Sequence, residues 1–123
     1  MHALVVDDSE VTRLMLRYIL KSLGFEVIEA GDGREGLAQL KRSGDTDLVL
    51  VDLFMPEMDG LEFVREVRRQ PSYDHIRLMM VTCANEMESV STALEAGANE
   101  YLMKPFSQEM VLEKLQLLGI GRC

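Results

Sequence analysis

Cysteine, proline and basic charge are all scarce in this 123-residue sequence, and each scarcity removes a class of function. Two cysteines, Cys83 and Cys123, are too few for a disulfide framework and show no metal-ligand spacing, so a reducing compartment, the cytoplasm, is expected. Thirteen Lys and Arg against 21 Asp and Glu leave a net charge of -8. That balance disfavours direct binding to nucleic-acid phosphates or to an anionic membrane, and points to proteins or metal ions as partners. Long apolar runs are also missing. The opening Met1-His2-Ala3-Leu4-Val5-Val6 meets Asp7-Asp8, so it reads as neither a signal peptide nor a membrane span. Only 3 Pro and 9 Gly among 47% apolar and 28% charged residues describe a folded domain with no linker or low-complexity tract. The length suits one continuous core, so a single domain over residues 1–123 is expected to carry the whole function, with Gly119 to Cys123 as a tail.

Short runs rich in apolar and β-branched residues recur along the chain: Ala3 to Val6, Phe25 to Ile28, Leu48 to Val51, Ile76 to Val81 and, more weakly, Glu100 to Met103. Helical spacing fills the stretches between them. Val11, Leu14, Met15, Tyr18 and Ile19 fall at i, i+3, i+4, i+7 and i+8, and Gly24 stops that helix. A second helix starts near Gly33 and buries Leu37 and Leu40. A third follows Asp59-Gly60, carries Leu61, Phe63, Val64 and Val67, and ends before Pro71. The fourth spans roughly Met87 to Ala96 with Gly97 as its stop, and the last begins at Ser107 with Met110, Val111, Leu115 and Leu118 on one stripe. Alternating strands and helices imply a doubly wound α/β fold, a parallel sheet covered on both faces, because parallel strands need crossover helices. Such sheets bind ligands beyond the carboxyl ends of their strands.

Five side chains of selected chemistry stand at those ends: Asp7 and Asp8 after the first strand, Asp52 after the third, Thr82 after the fourth and Lys104 after the fifth. Each alone has a bland account, since acids cap helices or start turns and a lysine can be solvated. Together they do not, because three carboxylates in one place repel each other unless a cation is present. A hard divalent ion such as Mg²⁺ prefers oxygen ligands and commonly bridges carboxylate to phosphate. Lys104 and Thr82 supply the charge and the hydroxyl donor that hold phosphoryl oxygens. The set suits phosphoryl transfer, in which a carboxylate can act as nucleophile. Asp52 is the candidate, since the apolar run Leu48 to Val51 would hold it rigidly on a central strand.

Over its whole length the sequence resembles the response-regulator receiver family. The resemblance rests on Val6-Asp7-Asp8-Ser9, on Leu50-Val51-Asp52-Leu53-Phe54-Met55-Pro56-Glu57-Met58-Asp59-Gly60, on Val81-Thr82 and on Lys104-Pro105-Phe106. It implies a flavodoxin-like five-stranded sheet of order 2-1-3-4-5 with five helices, an arrangement for which a receiver is itself a standard example. It implies a Mg²⁺ held by Asp7, Asp8, Asp52 and the backbone carbonyl of Phe54, and a phosphoryl group passed to Asp52 from a histidine kinase or histidine phosphotransfer protein. Lys104 would pair with that group and Thr82 hydrogen-bond it, while Tyr101 rotates inward and the surface of helix four, strand five and helix five reports the change to a protein target. A cis Lys104-Pro105 bond is implied as well. Two positions depart from the family pattern: Phe54, where many relatives carry a polar residue, and Cys83, where Ala, Gly or Ser is commoner. Both are expected to line the pocket and to slow attack by water.

The remaining polar residues have plainer readings. Cys83 reads as a small buried hydrophobe rather than a redox sensor, Met79-Met80 as core, and His2 and His75 as surface residues. Glu86, Glu88, Glu95, Glu109 and Glu113 read as a solvated face. An aspartyl phosphatase resembling the haloacid dehalogenases would need a second acid where Phe54 stands, and a flavin carrier would need a phosphate loop where Asp7-Asp8-Ser9-Glu10 would repel phosphate. A receiver-like scaffold that is never phosphorylated is opposed by the complete Asp, Thr and Lys set. The expected protein is thus a signalling switch rather than an enzyme acting on a separate substrate.

Overall fold

The computed structural model describes residues 1–120, so the tail residues 121–123, including Cys123, lie outside the described residues. Strands β1 (His2–Val6), β2 (Glu26–Ala30), β3 (Leu48–Asp52), β4 (Arg77–Cys83) and β5 (Glu100–Lys104) alternate with helices α1 (Glu10–Ser22), α2 (Gly33–Ser43), α3 (Gly60–Arg68), α4 (Met87–Ala96) and α5 (Gln108–Leu117). The five strands form one parallel sheet in the order β2-β1-β3-β4-β5, as expected. Two short 3₁₀ turns, Pro71–Tyr73 and Ala84–Glu86, have no counterpart among the elements expected from the sequence.

Alternation along the strands divides the core in two, because successive side chains point to opposite faces. Leu4, Val6, Val49 and Val51 pack with Leu40, Phe63, Val64, Val67 and Ala93 beneath α2, α3 and α4. Ala3, Val5, Leu48 and Leu50 pack with Leu16, Ile19, Leu20, Val111 and Leu115 beneath α1 and α5. All five residues of β3 are buried, which fits a central strand covered on both sides and fixes the position of Asp52 at its end. Side-chain caps start four helices: Ser9, Asp32, Asp59 and Ser107 each accept from a backbone N–H three residues on.

The apolar stripe that marks α1 in the sequence faces solvent. A stripe at helical spacing ordinarily covers the core, yet Val11, Leu14, Met15 and Tyr18 are exposed, and only Ile19 of that set is buried. Leu16, Ile19 and Leu20 form a second apolar face of the same helix, and it is this face that the sheet takes up.

Candidate functional site

β1, β3, β4 and β5 all end at one edge of the sheet, where the side chains of Asp7, Asp8, Asp52 and Lys104 come together. Asp7 is buried, Asp8 is exposed and Asp52 is buried, and one carboxylate oxygen of each lies within 4.8 Å of the others. Asp7 Oδ1 accepts the Ser9 backbone N–H at 2.8 Å, while its Oδ2 has no hydrogen-bond partner. Lys104 Nζ stands 3.6 Å from that Oδ2 and 3.7 Å from Asp52 Oδ1. Burial, and next the charge of Asp7, push the Asp52 carboxyl from its ordinary 3.8 up to about 7 against the pull of Lys104. The backbone N–H of Phe54 pulls in the same direction as Lys104.

A buried carboxylate oxygen with no hydrogen bond, in a cluster of three oxygen-donor side chains, suits a hard divalent cation with oxygen preference. Nitrogen and sulfur donors are absent from that cluster, so a Zn²⁺ site of the usual kind is disfavoured.

Thr82 is buried at the end of β4, next to Val81, which pairs with Asp52 across the sheet. Its hydroxyl donates to Glu86 Oε1 at 3.0 Å. Glu86 therefore does not belong to the solvated face expected of it. It is half-buried and binds a candidate site residue, whereas Glu88, Glu95, Glu109 and Glu113 are exposed. Cys83 is also half-buried, and its thiol caps the 3₁₀ turn at Ala84–Glu86. The Phe54 side chain is 51% exposed, so it flanks the site from the surface. Tyr101 is half-buried, with Lys114 Nζ 4.1 Å from its ring centroid, and Lys114 in turn contacts Glu100 at 3.2 Å. The Lys104–Pro105 bond is cis. His2 and His75 are exposed, and His2 Nδ1 lies 3.6 Å from Asp45 Oδ2.

A family model described as "Response regulator receiver domain" matches residues 3–116. The chain belongs to the response regulator receiver family. It is 40% identical over 119 residues to chemotaxis protein CheY1 of Helicobacter pylori, covering 96% of each chain. It is 41% identical over 123 residues to a CheY homolog of Campylobacter jejuni, covering 98% of this chain and 95% of that one. Among solved structures, chemotaxis protein CheY4 of Vibrio cholerae superposes with a TM-score of 0.87 at 38% identity, over 94% of this chain and 96% of that one. The match runs from β1 into α5, and among the described residues no helix is long and apolar enough to cross a membrane.

Proposed function

We propose that this receiver is a phosphorylation-driven switch of two-component signalling, acting in the cytoplasm, with Asp52 as the phosphoryl acceptor. The observation that carries the reading is the placement of buried Asp52 among Asp7, Asp8 and Lys104 at one strand edge, with the Thr82 hydroxyl one residue past Asp52's sheet partner.

Asp52 attacks as the carboxylate. One of its oxygens forms the new O–P bond while the N–P bond of a phosphorylated histidine breaks, and the electron pair returns to the imidazole nitrogen. The rigid β3 strand aims Asp52, Lys104 balances charge on the transferred oxygens, and Thr82 offers a hydrogen bond to one of them. Asp7, Asp8, Asp52 and the Phe54 carbonyl would hold Mg²⁺, which supplies charge neutralisation at the phosphoryl oxygens. The donor is a histidine kinase or histidine phosphotransfer protein. The output is a protein target that reads α4, β5 and α5, with Thr82 and Tyr101 as the moving parts. Phe54, half exposed beside the acceptor, hinders attacking water and prolongs the phosphorylated state; a Phe54→Asn variant with unchanged hydrolysis would count against that role.

Intact mass after incubation with acetyl phosphate and Mg²⁺ tests the central reading. A gain of one phosphoryl mass that requires Mg²⁺ and disappears in Asp52→Ala is expected. No gain under any condition would leave a receiver-fold scaffold that binds partners without phosphorylation.

A further inference from the structure

The Thr82 hydroxyl is already engaged. It is wholly buried, donates to Glu86 Oε1 at 3.0 Å, and lies 3.3 Å from the Cys83 carbonyl oxygen. The same Glu86 oxygen accepts the Cys83 backbone N–H at 3.0 Å. The Cys83 thiol accepts the Glu86 backbone N–H in return, so Glu86 is held through both its backbone and its carboxylate at the turn that leads into α4. A threonine hydroxyl has one proton to donate. Its bond to Glu86 and a bond to a phosphoryl oxygen on Asp52 therefore exclude each other.

We infer that Glu86 is a positioning residue that holds the Thr82 hydroxyl in the unphosphorylated protein and sets how readily that hydroxyl turns to the phosphoryl group. The inference rests on Asp52 being the acceptor. Both competing acceptors are anionic, so the exchange trades one charge-assisted hydrogen bond for another and is closely balanced. Losing the hydrogen bond from Thr82 leaves the Glu86 carboxylate with only the Cys83 N–H, which loosens the first turn before Met87. A local exchange of hydrogen bonds is thereby carried into α4. Glu86 lies four residues beyond Thr82, across a strand-to-turn junction, and is not one of the three clustered carboxylates.

The test is the initial rate of mass gain with acetyl phosphate and Mg²⁺, in which Asp52 gains an O–P bond and acetate leaves with the electron pair of the bond broken. Wild type, Glu86→Gln, Glu86→Ala and Thr82→Val are compared, with each Glu86 variant also made in the Thr82→Val background. Glu86→Gln keeps the cap geometry and an acceptor oxygen, so a folded variant is available even if Glu86→Ala is impaired. With the latch released, the Glu86→Ala rate rises about tenfold, the worth of one charge-assisted bond. Glu86→Gln falls between that variant and wild type, and neither change has an effect once the Thr82 hydroxyl is gone. Equal rates at residue 86, or an effect that persists in Thr82→Val, would overturn the latch while leaving the acceptor reading intact. No mass gain in wild type or any variant would instead overturn the acceptor reading, and the latch with it.

Discussion

Lys104 Nζ lies 3.7 Å from Asp52 Oδ1, yet it does not hold that carboxyl in the ordinary acidic range. Burial and the neighbouring Asp7 outweigh the ammonium and leave Asp52 at about 7. Removing the ammonium should tip the balance further. Lys104→Met is expected to move the Asp52 carboxyl above 7 in the metal-free protein, read by carbon NMR of the carboxyl against pH, and to slow phosphorylation. A carboxyl that titrates lower in the variant would show that Lys104 does not interact with Asp52 as the distance implies.

Stability carries the same signature. Asp52 binds its proton more tightly in the folded chain, at about 7, than in the unfolded chain, near its ordinary 3.8. The contribution of this group is therefore fully present below 3.8 and is lost as pH rises through about 7. Asp52→Asn, a neutral replacement of the same shape, should be more stable than the metal-free wild type at pH 8. Its advantage should shrink as pH falls below about 7 and vanish near 3.8. Thermal melts of the pair across pH decide it, since every other titrating group is common to both. An advantage that does not change with pH would rule out the coupling.

Most of the sheet edge is legible in the sequence, because a wholly apolar Leu48 to Val51 run ending in Asp52 admits few placements other than a central strand. The face of α1 is not. Periodicity reports that an apolar stripe exists, and α1 has two, so the Val11, Leu14, Met15, Tyr18 set and the Leu16, Ile19, Leu20 set compete. Only docking on the sheet selects the second. Glu86 escapes sequence reasoning for a related reason: an acid near a helix is usually solvated, and nothing in its spacing from Thr82 signals a contact. The signal that could reveal it is Cys83-Ala84-Asn85-Glu86, the spacing of a capping box with cysteine in place of serine.

The two faces of α1 make a direct comparison. Leu16→Ala empties a fully buried position and should cost about 2–5 kcal/mol. Leu14→Ala, at a position that is 62% exposed, should stay within about 0.5 kcal/mol. Denaturant unfolding of both variants distinguishes the faces. Comparable losses would mean that the outward stripe is covered in solution.

Metal binding should stabilise the fold by mass action. With Mg²⁺ at about ten times its dissociation constant, the gain is about 1.4 kcal/mol, or roughly 5 °C in melting temperature. Asp8 is the exposed member of the carboxylate cluster, so Asp8→Asn should leave the metal-free melt nearly unchanged while removing most of the Mg²⁺ response. A variant that responds to Mg²⁺ as wild type does would take Asp8 out of the ligand set.

Gly60 begins α3 directly against the backbone of Asp52. A Cβ placed there would stand 2.3 Å from the Asp52 carbonyl oxygen and 2.9 Å from Leu53 Cα, and the Gly60 N–H already donates to the Leu53 carbonyl at 2.9 Å. Backbone cannot step aside as a flexible side chain can, so Gly60→Ala must push the start of α3 and the end of β3 apart. A loss of about 1–3 kcal/mol is expected, as for other overpacked sites, together with slower phosphorylation from a displaced Asp52. Gly31→Ala is the control, because its Cβ would meet nothing closer than Glu35 Oε1 at 3.5 Å. If Gly60→Ala destabilises the fold but is phosphorylated at the wild-type rate, the close approach serves packing and does not set the position of Asp52.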